Sequence, residues 1–238
     1  MTQVLGIVKE GKLIPEDLWI KFISGMENSF DNLETNKERA KRELAESIIS
    51  AIKKRIVPRF GVLFSGGVDS SLIAFVAKQL KCSFTCYTVG IENSDDIEWA
   101  KKLAKEYGFN FKYKILSLDE FENIVKSVVK LLNDADIVKA SVGSVLYAAG
   151  KLALSDSNNV LFGGLGSEEI FAGYQRHESA LQNNDFEALH KECWNGLKNM
   201  WGRDLTRDFT IAKHLGLYLR APFLDKELIK TAMNIHPM

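Results

Sequence analysis

The sequence predicts an α/β protein built on a doubly wound parallel sheet with helices on both faces. Three observations carry this prediction. From residue 60 onward, short runs rich in β-branched and aromatic residues alternate with helix-length amphipathic segments. Spacers of that length impose right-handed crossovers between parallel strands. Glycine-rich turns at residues 65–70 and 163–167 fall at the carboxyl ends of two predicted strands, where such sheets hold ligands.

The elements follow in order. "VLGIVKEGKLI" predicts a hairpin centred on Glu10-Gly11, and mixed polar sequence continues to about Asn36. Residues 37–56 place Leu44, Ile48, Ala51 and Ile52 at helical spacing and end near Pro58. Residues 1–57 are therefore expected to form an appendage of hairpin and helix, and residues 58–238 the main domain. In that domain, strands are expected at 60–64, 83–89, 111–116 and in "NVLFGG". Helices are expected at 70–80, 96–107, 118–132 and 138–154. In the second of these, Ile97, Ala100, Leu103 and Ala104 share a side. Residues 174–203 read as helical and mostly polar, and Asp225 caps a final helix.

The chain has 238 residues, 46% of them hydrophobic and 26% charged, which is the composition of a globular protein with a core of its own. Its 31 Lys and Arg balance its 31 Asp and Glu, so no global positive field draws nucleic acid. No uninterrupted run of about 18 apolar residues occurs, which argues against a membrane span. The start "MTQVLGIVKE" lacks the basic and apolar regions of a signal peptide, so a cytoplasmic protein is expected. Cys82, Cys86 and Cys193 form neither an even disulfide framework nor a C-x-x-C pair, and reduced, buried thiols are expected.

The chemistry concentrates in "FSGGVDSS". Gly66 and Gly67 allow close backbone approach and positive φ, and their N–H groups would join those of the next helix in an anion-binding nest. Ser65 and Ser70 add hydroxyl donors. There is no G-x-x-x-x-G-K-[ST] and no G-x-G-x-x-G, which excludes two other phosphate loops. Asp69 is the oddity, because a carboxylate beside a polyphosphate is repelled by roughly 4 kcal/mol for unit charges about 4 Å apart at a dielectric of 20. A Mg²⁺ ion between them reverses the sign. The competing reading is a tight turn with Asp69 as helix N-cap, and the turn alone leaves the two about even.

"FSGGVDSS" after a strand resembles the pyrophosphatase loop of the N-type ATP pyrophosphatases, enzymes that cleave ATP to AMP and pyrophosphate while activating a carbonyl. "FGGLGSEEIFAGYQRH" and "LYLRAPFLDKELIKTAMNIHP" resemble the second and third signatures of asparagine synthetases and β-lactam synthetases. The resemblance runs from about Leu44 to Pro237. It implies a Rossmann-like sheet of the adenine nucleotide alpha hydrolase type, with ATP and Mg²⁺ as cofactors. It further implies that Ser65, Gly66, Gly67, Asp69 and Ser70 hold the β- and γ-phosphates. Asp69 would sit on Mg²⁺, and Leu63 and Val89 would flank adenine through their backbones. Gly164 would pass close to the ribose or α-phosphate. Glu168 takes the position of a second Mg²⁺ carboxylate, usually aspartate in relatives, while Glu169 reads as structural. Arg176 is a candidate for phosphate or a carboxylate substrate, and Arg220 is equally readable as a structural ion pair.

This sequence departs from the family pattern in several places. Leu165 stands where asparagine synthetases keep a glutamate, and an apolar side chain cannot orient an amine. Phe209 and Thr210 replace charged residues of an Arg-Asp-Asp-Arg-like segment that keeps Arg207 and Asp208, and Tyr218 replaces a further glutamate. The chain stops at Met238, before the lysine that relatives place after the last helix to stabilise the reacting phosphate. No glutaminase domain precedes Leu44, so nitrogen is expected from ammonia, an amine substrate or a separate glutaminase subunit. The expected function is an ATP-dependent, amide-forming ligase acting on a small-molecule carboxylate. The alternatives are an ATP-binding regulatory or partner subunit and, less favoured, a tRNA-modifying enzyme. A homo-oligomer is left open.

Overall fold

The computed structural model describes residues 7–9, 12–29, 33–181 and 184–236, so the Glu10-Gly11 centre of the expected hairpin lies outside the described residues. The chain divides into two compact units, each assembled from separated stretches of sequence. One comprises residues 56–164 and 203–220; the other takes the described residues of 3–55, 165–202 and 221–238.

The first unit holds a parallel sheet of five strands. β3 (Phe60–Leu63) pairs with β4 (Phe84–Ile91) on one side and with β6 (Val160–Phe162) on the other. β5 (Phe111–Leu116) adds to β4, and β7 (Tyr218–Arg220) adds to β6, giving the order β5-β4-β3-β6-β7. The chain first winds outward from β3 through α3 (Val68–Gln79) and α4 (Asp95–Tyr107). It then returns through α5 (Leu118–Leu132) and α6 (Ile137–Ser155) to start the other half at β6. The winding therefore reverses between β3 and β6, the kind of position at whose carboxyl ends such sheets hold ligands.

Alternation along the strands explains the two covered faces. Phe60 turns one way, its ring centroid 4.6 Å from that of Phe162 and 5.8 Å from that of Phe84. Tyr87 and Leu161 turn the other way and pack with Ala153 of α6 and with Ala212 of α10 (Thr206–Leu215). Gly61 lies between them, and a Cβ there would come within 2.5 Å of Leu161 Cδ2 and 2.7 Å of Tyr87 Cε2. α6 is long and apolar enough to cross a membrane by composition, yet 44% of its most apolar window is buried inside the protein. Its Ala140, Gly143, Leu146, Ala149 and Ala153 make it the core helix of this face.

The second unit is mostly helical. β1 (Val8–Lys9) and β2 (Lys12–Leu13) pair antiparallel as expected of the hairpin, and α2 (Lys37–Lys53) is the expected amphipathic helix, capped by Asn36. Sequence reading passed over α1 (Glu16–Glu27), whose Trp19, Ile23 and Met26 are buried at i, i+4 and i+7. Residues 174–203 form α8 (Gln175–Ala180), α9 (Phe186–Met200) and a π-helical turn at Trp201–Leu205. α9 is not a polar helix: Leu189, Cys193, Trp194, Leu197 and Met200 are buried, and Trp19 Nε1 donates to Leu197 O at 2.9 Å. α7 (Ser167–Ile170) and α11 (Lys226–Met233) complete the unit, with Asp225 capping α11 by accepting from Glu227 N–H at 3.1 Å.

Candidate functional site

The loop at residues 65–70 joins β3 to α3 at the reversal of the sheet. Its conformation follows from its residues. Gly66 has φ +77°, a left-handed conformation that costs other residues roughly 1–2 kcal/mol. A Cβ at Gly66 would also meet Trp99 Cδ1 at 2.9 Å and Ala100 backbone at 3.2 Å. Gly67 is the N-cap of α3 with ordinary extended geometry, and its Cβ would meet only Ser65 Oγ, at 3.2 Å.

Hydroxyls brace the turn from inside. Gly67 N–H donates to Ser65 Oγ at 3.2 Å, Ser70 Oγ donates to Gly67 O at 3.2 Å, and the two hydroxyl oxygens lie 3.4 Å apart. Below the turn, Thr88 Oγ1 donates to Phe64 O, and Phe64 N–H donates to Tyr87 O at 2.9 Å. The loop thus leaves β3 from a fixed point. The first-turn N–H groups of α3 have no partner within their own helix, as at any helix start, and they carry the positive end of its dipole.

Asp69 lies in the first turn of α3 and is not its N-cap; Gly67 is, and no side chain caps the helix. Its carboxylate makes no hydrogen bond or ion pair with a described residue. A half-exposed carboxylate without a partner among the described residues, beside helix-start amides, suits a cation held together with an anion. The glycine cradle and this free carboxylate together fit a magnesium-bound polyphosphate.

Leu63 ends β3 and is half-buried, packed against the cluster of Val89, Leu116, Ala148 and Ala149. Val89, the expected end of its strand, lies inside β4, which runs on to Ile91 because Gly90 and Ile91 pair with Ile115 and Leu116. Its side chain is buried against Leu116, Ala148 and Ala149. Val89 stands two positions beyond the Leu63–Tyr87 pair, so its backbone is in register with Ser65, where β3 has given way to the loop. Gly164 follows β6 by two residues, and Gly163 N–H donates to Arg220 O at 2.9 Å, tying this turn to β7.

In the second unit, Glu168 opens α7 with its side chain exposed. Glu169 is 1% exposed and lies 3.8 Å from Arg176 Nη2. The Arg176 guanidinium stacks 3.9 Å from the Tyr174 ring centroid and pairs with Glu192 at 3.1 Å. Arg176 therefore already has two carboxylates and an aromatic face as partners in its own unit. His177 is buried there, with Nδ1 accepting from Tyr174 N–H at 3.2 Å. Burial, then the charge of Arg176, lowers its pKa below the ordinary histidine value.

Arg207 and Asp208 open α10 in the first unit. Arg207 is buried between Asp208, at 2.7 Å, and Asp204, at 3.1 Å, and burial raises the Asp208 carboxyl against the pull of Arg207. Cysteine chemistry is disfavoured: burial pushes the Cys86 thiol to about 12 and the Cys193 thiol to about 11, and raises that of Cys82. Sequence reading missed Trp99, whose Nε1 donates to Gly66 O at 3.2 Å. The signal was present in the helical pattern, because Trp99 is a large aromatic placed off the apolar stripe of α4 that carries Ile97, Ala100 and Ala104.

Comparison with known proteins places the chain. It is 38% identical over 214 residues to "Putative asparagine synthetase (glutamine-hydrolyzing) 1" of Methanocaldococcus jannaschii, covering 87% of this chain and 39% of that protein. It is 33% identical over 211 residues to Asparagine synthetase (glutamine-hydrolyzing) 2 of Lotus japonicus, covering 82% of this chain and 35% of the relative. The chain therefore spans well under half the length of these relatives. Among solved structures, it overlays an NH3-dependent NAD synthetase from Campylobacter jejuni with a TM-score of 0.43 and 16% identity. That overlay covers 71% of this chain and 95% of the other. The Asparagine synthase family matches residues 43–189, from α2 through the phosphate-loop candidate to α9, and the chain belongs to that family.

Proposed function

We propose that this chain is the ATP-handling part of an amide-forming ligase. A substrate carboxylate oxygen attacks the α-phosphorus of ATP, the bond to the β-phosphate oxygen breaks, and pyrophosphate leaves. Ammonia or an amine then attacks the acyl carbon of the adenylate, AMP leaves, and the nitrogen gives up a proton. The observation that carries this reading is the loop at 65–70: a left-handed glycine, a row of helix-start amides and the carboxylate of Asp69, without a partner among the described residues, at the reversal point of the sheet. Family membership supports it.

In this reading Ser65, Gly66, Gly67 and Ser70 hold the β- and γ-phosphates, and the backbones of Leu63 and Val89 border adenine. Gly164 lies near the ribose or α-phosphate. Asp69 is a Mg²⁺ ligand, with Glu168 as a further metal carboxylate. Magnesium, when bound, neutralises phosphate charge and makes pyrophosphate a better leaving group. Arg176 is retained as a phosphate or carboxylate contact only if it can leave Glu192. Nitrogen comes from free ammonia, an amine substrate or a glutaminase, and L-aspartate is the first acid to test, by analogy with the family.

The test is pyrophosphate release from Mg·ATP with a panel of carboxylic acids and ammonia, wild type against Asp69→Ala. Acid-dependent release by the wild type, lost in the variant, is expected. No release across the panel, with Mg·ATP still bound, would select the second reading, a nucleotide-binding partner subunit, which Leu165 and Tyr218 favour.

A further inference from the structure

We infer that Trp99 is a positioning residue for the phosphate loop: its indole N–H holds the Gly66 carbonyl toward α4 and so fixes the Gly66–Gly67 peptide, whose N–H is held in turn by Ser65 Oγ. This rests on the nucleotide reading given above and names a part of that machinery outside the three sequence signatures.

The Gly66–Gly67 unit is the most easily reversed peptide of the loop, since neither neighbour has a Cβ to oppose rotation of the plane. Its two orientations are opposite in consequence. With the carbonyl held toward α4, the loop keeps that oxygen off an anion at the helix-start amides; with the peptide reversed, it points a partial negative charge at that same anion. In the structure both ends of the plane are held. Gly66 O accepts from Trp99 Nε1 at 3.2 Å, and Gly67 N–H donates to Ser65 Oγ at 3.2 Å.

The clamp is steric as well as polar. Trp99 Cδ1 and the Ala100 backbone fill the space beside Gly66, where a Cβ would fall at 2.9 and 3.2 Å. Lys102 Nζ sits 4.8 Å from the Trp99 ring centroid, covering the indole with a cation. The side chain nevertheless remains 49% exposed, which is unusual for a tryptophan that serves only the core. Phenylalanine keeps the ring and loses the donor, so Trp99→Phe isolates the hydrogen bond.

The experiment uses magnesium pyrophosphate as probe. In the wild type, titration is expected to move the Trp99 indole N–H resonance, while those of Trp19 and Trp201, bonded to Leu197 O and Ile14 O, stay still. Trp99→Phe is expected to bind the probe about fivefold more weakly, the worth of one net hydrogen bond. It should raise KM for ATP more than it lowers kcat, with an unchanged urea midpoint. If the wild type binds pyrophosphate, the clamp is overturned by a Trp99→Phe variant of equal affinity or, should that variant not fold, by a Trp99 resonance that does not move. If the wild type ignores pyrophosphate altogether, the nucleotide reading itself falls and takes the clamp with it.

Discussion

Arg55 Nη1 and Asp225 Oδ2 lie 2.8 Å apart with both side chains sealed from solvent, 4% and 2% exposed, so the end of α2 is bolted to the cap of α11 across 170 positions of sequence. Removing either charge strands the other, and Arg55→Ala is expected to lower unfolding stability by about 3–5 kcal/mol. Asp225→Asn keeps a capping oxygen, so Asp225→Ala should be worse than Asp225→Asn by about 1 kcal/mol. Burial raises the Asp225 carboxyl, but the hydrogen bond and charge of Arg55, with Lys54, outweigh it and hold the group below the ordinary aspartate value. The unfolded chain then binds the proton more readily than the folded one. This stabilisation is complete above the ordinary aspartate range and is lost as pH falls through the lower folded value. Urea midpoints from pH 7 down to pH 3 check it: the wild type should lose stability below about pH 4, and Arg55→Ala should lose less over the same span.

The two loop glycines are not equivalent. Gly66 is left-handed and crowded by Trp99, whereas Gly67 has ordinary geometry and only Ser65 Oγ nearby. Gly66→Ala is expected to destabilise the protein by about 1–3 kcal/mol, from backbone strain and overpacking, and to abolish pyrophosphate binding. Gly67→Ala should cost less, about 0.5–1 kcal/mol in urea unfolding, from a poorer N-cap and a Cβ that presses Ser65 Oγ from 3.2 Å. Equal effects at the two positions would mean that the loop is not held in the conformation described.

Most of the sheet was legible because its strands and helices have different periods, and β3, β5 and the helices after them were found within a few residues. The turn at 65–70 was legible too, through its spelling. What escaped was decided at long range. β7 is three residues with no alternation to detect, and it becomes a strand only by pairing with β6. α9 read as polar because its charged positions are evenly spread, and its buried face appears only once Trp19 of α1 reaches Leu197. Asp225 was recognised as a cap from its place before a helix, but its ion pair depends on a residue 170 positions away, beyond any local pattern. Trp99 stood out locally as an aromatic off the apolar stripe of α4, but its role was hidden because its partner is a carbonyl in another element.

The cysteines offer a check on the site's chemistry. Cys86 and Cys193 are buried, and burial pushes their thiols to about 12 and about 11. Neither is a thiolate at neutral pH, so neither reacts readily. Cys82 is only partly buried, and its thiol is raised by desolvation alone. Ellman's reagent at pH 7.5 should therefore label the native protein at Cys82 at most, and all three cysteines only after denaturation. Fast labelling of Cys86 or Cys193 in the native state would reopen sulfur-transfer chemistry.

Tyr87 ties the sheet to the end of α6 at the side opposite the loop. Its hydroxyl donates to Asp156 Oδ2 at 2.7 Å and accepts from Asn158 Nδ2 at 3.4 Å, and Lys112 Nζ pairs with Asp156 at 2.5 Å. The hydrogen bond of Lys112, then that of Tyr87, holds the Asp156 carboxyl below its ordinary value. Tyr87→Phe keeps the ring in its place beside Gly61 but leaves the 2%-exposed Asn158 amide without this acceptor. An unsatisfied buried amide costs about 1–3 kcal/mol, so the variant should lose that much in urea unfolding. The Asp156 carboxyl should also titrate closer to the ordinary aspartate range by NMR, while remaining depressed by Lys112. Because the knot lies at the amino ends of the strands, Tyr87→Phe should leave magnesium pyrophosphate affinity within twofold of wild type. A larger change in affinity would mean that stability and the phosphate loop are coupled through the sheet.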